Sequence, residues 1–159
     1  MNAVLLSLHV LAAIVAIGPI CVAASMFPAE ARRALTGESA DGGTPLTVLA
    51  RISRVYAVVG LAVPVFGLMT GASMGVLAEA WLLVSLGLTL VAALVLALVV
   101  LPRQRSLLAD VTAATADPGA AVRARRAIGG LAAATGVFNL LWAAVTVLMI
   151  VRPGSTTGV

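Results

Sequence analysis

Four side chains inside this chain's apolar stretches, His9, Cys21, Met69 and Asn139, are of types and at places that could do chemistry. His9 is the only histidine and Cys21 the only cysteine. One of each cannot build a protein-only zinc site, which needs three or four ligands. A lone cysteine makes no intrachain disulfide, and in an apolar run it reads as a small packing residue. Histidine-based triads, glycine-rich nucleotide loops and paired carboxylates also lack their pieces. That leaves His9, because an ionisable residue within a membrane segment is a functional candidate by default. It sits about 9 Å along its helix from the first apolar residues, at 1.5 Å per residue. Met69, six residues before Gly75, falls at a similar depth on the next apolar run. A neutral histidine and a methionine at matched depth are an axial ligand pair for b-type haem. Two chains contributing one His9 each would make another. The plain alternative is a hydrogen bond from the imidazole to a carbonyl or to interfacial water.

The elements that must position these residues follow from composition. The chain has 159 residues, of which 62% are hydrophobic and 10% charged. An ordinary globular domain is about 45–50% apolar and about 25% charged. A soluble enzyme, a disordered segment and a nucleic-acid-binding module are therefore excluded, and a single integral membrane domain over 1–159 is expected. A spanning helix needs about 20 mostly apolar residues. Four stretches qualify: 3–27, 53–75, 80–102 and 127–151. The first lacks the basic n-region and short apolar core of a signal peptide, and reads as a retained span.

The charges orient the bundle. The formal net charge is +4, and every basic side chain is arginine. Arg32, Arg33, Arg51 and Arg54 flank the first link; Arg103, Arg105, Arg123, Arg125 and Arg126 flank the third. The short middle link carries Glu79 and no basic residue, and Arg152 alone follows the last span. The positive-inside rule then makes both long links cytoplasmic and places both termini outside. The expected fold is all-α: a four-transmembrane-helix bundle of two hairpins in the cell membrane, by type a bacterial inner membrane.

Within the links, Thr44-Pro45 reads as an N-cap followed by proline at the first helical position. Gly37 to Gly43 has loop composition, and Leu107, Leu108 and Val111 suit an interfacial turn ended by Asp117-Pro118-Gly119. Arginine pairs and prolines at matching places in the two halves hint at a parallel duplication, although membrane-boundary composition produces much of the same likeness.

Helices in lipid associate through small residues. Gly67, Gly71 and Gly75 form such a stripe on the second span. Ala12 and Ala16 mark the first, Ser85, Thr89, Ala93 and Ala97 the third, and Gly129, Ala132, Ala133 and Gly136 the fourth. Asn139 is expected to hydrogen-bond a neighbouring helix, Trp81 to sit in an interfacial belt, and Gly18-Pro19 and Pro64 to kink their helices. No Asp, Glu, Lys or Arg lies deep in a span, which argues against an ion pump.

The run Leu8 to Gly18 (LHVLAAIVAIG) resembles the opening of the family called domain of unknown function 2269, predicted integral membrane proteins. Trp81 with Leu101-Pro102-Arg103, and the closing Leu148 to Gly154 (LMIVRPG), fit the same resemblance. It implies a four-helix membrane protein without an assigned reaction. The Leu-His start is also distantly similar to the copper-resistance D proteins and the bacterial four-helix protoporphyrinogen oxidases. In the oxidases a first-helix histidine and an intramembrane lysine go with haem and activity; His9 matches the first, and no lysine matches the second.

The reading favoured at this level is a small non-catalytic accessory or interaction subunit of a larger membrane assembly. Its partners would be the lipid bilayer and a membrane protein or a second copy, not nucleic acid. The alternative is a haem b-binding membrane protein or haem-linked oxidoreductase with His9 as axial ligand and Met69 opposite.

Overall fold

The apolar runs fold into helical units longer than the hydrocarbon core of a bilayer is thick. The structure, a computed structural model, describes residues 2–38 and 43–154. Its helices are α1 (Asn2–Thr36), α2 (Thr44–Val59), α3 (Ala62–Met74), α4 (Ala80–Leu94), a π-helical segment (Val95–Val100), α5 (Leu101–Ala113) and α6 (Pro118–Val151). They make four spanning units: Ala3–Thr36, Thr44–Met74, Ala80–Ala113 and Pro118–Val151. At 1.5 Å per residue these are about 45–50 Å long, against a hydrocarbon core about 30 Å thick. The excess lies at the arginine-rich, basic end. The part of the Gly37 to Gly43 loop at 39–42 lies outside the described residues.

The core explains why the helices run on. α1 packs along α2 and α3, α6 packs along α4 and α5, and α1 and α6 join the two hairpins. The buried cluster includes Ile20, Phe27, Leu46, Leu96, Leu107 and Leu131. Leu107 is fully buried there, with Leu108 and Val111 packed against it. The expected interfacial turn is thus a direct continuation of the third span, because its apolar stripe has the bundle to bury against. Asp117-Pro118-Gly119 starts α6: the Gly119 N–H donates to Asp117 Oδ1 at 2.7 Å, an N-cap with proline in the first turn. Gly43, in a left-handed conformation, is the residue before α2, so Thr44 is its first helical residue rather than its N-cap.

Prolines account for the irregularities. Pro64 has no N–H for the Gly60 carbonyl, which instead accepts from Val63 at 3.0 Å, and the helix breaks between α2 and α3. Pro102 likewise deprives Leu98. The chain widens ahead of it, and the Leu101 N–H reaches back five residues to the Leu96 carbonyl. α1 continues through Pro19 and Pro28 without a break.

The small-residue series divide differently from expectation. Ala16 and Ser85 are buried, but Ala93, Ala97, Gly129, Ala132, Ala133 and Gly136 are exposed. The core face of α6 is Ala120, Ala124, Ile128, Leu131, Thr135, Phe138 and Val145.

Candidate functional site

At the end opposite the arginines, the bundle does not close. α3 and α4 scarcely touch, although a short turn joins them. The space between all four spans is a chamber of about 750 Å³. α1 contributes His9, Ala13 and Ile17 to its wall, three positions about a turn apart on one face. Pro64 and Gly67 come from α3, Leu82 and Leu86 from α4, and Trp142 and Met149 from α6. Such a volume is within the roughly 300–1,000 Å³ of small-molecule and cofactor pockets, and like them it is walled mainly by hydrophobic side chains.

His9 has a defined role in this wall. Its Nδ1 lies 2.9 Å from the Val63 carbonyl oxygen. A carbonyl only accepts, so the bond requires the proton on Nδ1 and leaves the Nε2 lone pair without a protein partner among the described residues. The imidazole also lies against Gly67: a Cβ there would stand 3.0 Å from Cε1 and 3.2 Å from Nδ1. The glycine therefore makes room for the ring.

The other predicted site residues separate. Met69 is 47% exposed and is not on the chamber wall; Met149 of α6 is. Gly71 packs where a Cβ would meet Leu82 Cδ2 at 2.9 Å and Leu77 Cδ2 at 3.2 Å. Gly75 does not belong to the packing stripe. It ends α3 in the left-handed conformation (φ 72°), with its own N–H on the Ala72 carbonyl and that of Val76 on Gly71, and open space where a Cβ would go. Asn139 Nδ2 donates to Ser25 Oγ at 3.0 Å, tying α6 to α1. Cys21 is half-buried and packs against the core.

Sequence reasoning missed the cation at this site. Arg152 also lines the chamber. Its guanidinium lies 5.5 Å from the centroid of the Trp81 ring, and its Nε donates to the Met149 carbonyl at 3.3 Å. Trp81 is buried beneath it rather than set in an exposed belt. No carboxylate pairs with Arg152 among the described residues. The available signal was its isolation, as the one arginine at the end where the others are absent. Together the chamber offers an apolar body, one imidazole lone pair and one pinned cation. That set suits an amphiphile carrying a Lewis-acidic centre and an anionic group.

Over residues 3–153 the sequence matches a family described as predicted integral membrane protein (DUF2269). No curated protein and no solved structure matches the chain. With four spans long and apolar enough to cross a bilayer, it is a multi-pass integral membrane protein.

Proposed function

The chain belongs to the DUF2269 family of predicted integral membrane proteins, and we propose that it binds b-type haem in this chamber, with His9 Nε2 as axial ligand. The observation that carries the reading is the apolar chamber of about 750 Å³ that His9 lines, since the 2.9 Å bond from its Nδ1 to the Val63 carbonyl is also the plain alternative for a lone histidine. Metal-ligating histidines commonly donate their other nitrogen in this way, which fixes the tautomer and orients the ring. The rest of the donor set fits. The apolar walls exclude water from a macrocycle, Gly67 keeps the ring seat open, and Arg152 supplies a cation for carboxylate side groups. A second ligand from the same chain would be Met149 on the wall, in place of Met69. Haem would supply one-electron chemistry, while the protein supplies ligation and a dry, oriented site. The positive-inside rule supports a chamber in the outer half of the membrane, in keeping with a protein of the bacterial inner-membrane type.

The test is an absorption spectrum of protein extracted from native membranes, with haem reconstitution alongside. A Soret band that His9→Ala weakens or shifts is expected. A colourless protein that takes up no haem, or a band indifferent to His9→Ala, refutes the reading.

A second reading, an interaction subunit of a larger membrane assembly, is supported by the uncovered side of α6. Gly129 and Gly136 are exposed there, with open space where a Cβ would stand. Small residues serve close helix approach in membranes, and lipid makes no use of them. Crosslinking in native membranes followed by size analysis in mild detergent tests it. A chain that stays monomeric with nothing attached counts against it.

A further inference from the structure

Arg152 is held more tightly than its place at a helix end requires. It follows α6 in the left-handed conformation, φ 45° and ψ 58°, and is the only non-glycine residue with positive φ among those described. Glycine ordinarily takes that position, because a Cβ is strained there. A cation is favoured at any helix C-terminus, but an arginine extended into water would meet that preference. Here the side chain instead lies back over the bundle. Its Nε donates to the Met149 carbonyl at 3.3 Å, and its guanidinium stands 5.5 Å from the centroid of the buried Trp81 ring. Nη1 and Nη2 make no hydrogen bond and no ion pair with a described residue. Their N–H groups form a flat fork on the chamber wall, the geometry that receives a phosphate or a carboxylate.

The chamber beside this cation is open sideways. Ile14 of α1 and Ile150 of α6 both belong to its wall, yet each is 65% exposed. The two helices therefore stand apart at this level, and are drawn together further in, where Asn139 Nδ2 donates to Ser25 Oγ. The slot between them faces the surrounding acyl chains. Water has little to hold it inside, since a buried water needs about two to four polar partners. Thr89 and Thr146 spend their hydroxyls on carbonyls of their own helices, and His9 Nδ1 is bonded to Val63. An unfilled apolar volume forfeits the dispersion contacts of its lining. Hydrocarbon continuous with the bilayer is the filling that the slot admits.

Depth and charge select the molecule that brings this hydrocarbon. Trp142, on the chamber wall, precedes Arg152 by ten residues, about 15 Å along α6. One leaflet's share of the hydrocarbon core is also about 15 Å. A lipid with its phosphate on Arg152 thus carries an acyl chain whose end lies beside Trp142. A soluble anion would meet the cation and leave the apolar wall bare, and an uncharged chain would do the reverse. A zwitterionic head brings its own ammonium towards the guanidinium, where like charges repel; an anionic head does not.

We infer that the haem-free chamber binds an anionic phospholipid of the leaflet at this end, with the phosphate on Arg152 and one acyl chain entering between α1 and α6 to reach Trp142. The inference shares the chamber with the haem reading but goes beyond it and does not require haem to bind. Its test uses the haem-free full chain in phospholipid vesicles, with bromine near the ends of the acyl chains of one lipid. Bromine quenches tryptophan on contact, and the difference between wild type and Trp142→Phe isolates the emission of Trp142. Brominated phosphatidylglycerol among plain phosphatidylcholine is compared with brominated phosphatidylcholine among plain phosphatidylglycerol. The wild type should prefer phosphatidylglycerol about tenfold. Arg152→Gly should abolish that preference and keep the fold, because glycine takes the left-handed turn without strain. Excess glycerol phosphate, a head without chains, should not relieve the quenching. Trp142 left unquenched, equal quenching by both lipids, or a preference that survives Arg152→Gly overturns the inference. Relief by glycerol phosphate also overturns it and makes Arg152 a seat for a free phosphate ester. A missing Soret band refutes haem and leaves the lipid result standing, whereas equal quenching removes the lipid and leaves the Soret test as it was.

Discussion

Gly67→Ala isolates the contact on which the candidate site depends. The new Cβ would stand 3.0 Å from His9 Cε1 and 3.2 Å from Nδ1, closer than packed atoms tolerate, so the imidazole must move. The ring is held by its 2.9 Å bond to the Val63 carbonyl on the same helix, and it cannot swing away and keep that bond. Overpacking typically costs about 1–3 kcal/mol and a lost hydrogen bond about 0.5–1.5 kcal/mol. Against this, alanine gains about 1 kcal/mol over glycine within a helix. The net expectation is a loss of about 1–2 kcal/mol. Gly87→Ala, where a Cβ meets nothing within 4 Å, should show the propensity gain alone. The assay is reversible unfolding in mixed micelles, run as a double-mutant cycle with His9→Ala. With the imidazole removed, Gly67→Ala should behave like Gly87→Ala, giving a coupling energy of about 2–3 kcal/mol. If Gly67→Ala is as benign as Gly87→Ala while His9 is present, the ring does not sit against Gly67 and the site as described is wrong.

Three further outcomes follow from the same geometry. Phe27, fully buried where the helices converge, should cost about 3–5 kcal/mol as Phe27→Ala, whereas Val22→Ala on the exposed side of α1 should change unfolding by less than about 1 kcal/mol. Gln104 is buried with its Oε1 unpaired, and its Nε2 donates to Ser53 Oγ at 3.3 Å. Gln104→Leu together with Ser53→Ala should therefore be neutral or stabilising, whereas Ser53→Ala alone, which strands the amide, should cost about 1–2 kcal/mol in the same assay. The Asp117 carboxyl is held below its ordinary pKa first by the Gly119 N–H and then by Arg123. A depressed folded pKa means that this carboxylate stabilises the start of α6 above the ordinary value of 3.8 and ceases to do so as pH falls through the lower, folded one. Relative to intrinsic exchange, amide protection at 119–121 should fall over that acid range in the wild type and be low throughout in Asp117→Ala; a pH-independent protection in the wild type would remove the cap.

What could be read from the sequence, and what could not, follows from the geometry of a helix. Hydropathy is a property of a run, so the four spans and their order were legible. The span ends were not, because a criterion of about 20 apolar residues measures the hydrocarbon and not the helix. Leu107 and Ala124 extend the bundle past it while the arginines beside them face outward. Position along a helix is also legible, and it is what paired His9 with Met69. Direction around the helix is a separate coordinate. The residue facing His9 is Gly67, two positions from Met69, and residues two apart on a helix point about 200° away from each other. The spacing of the glycines likewise could not name what each one faces: an imidazole at Gly67, leucines at Gly71, and at Gly75 only the left-handed turn that ends the helix. The same limit separated the two sides of α6, where the seam of small residues is the exposed side and the core face is carried by Leu131, Thr135 and Phe138. Periodicity fixes which residues share a side. Which side meets the protein is decided by the large residues, and on α6 Phe138 and Leu131 turn the glycines outward.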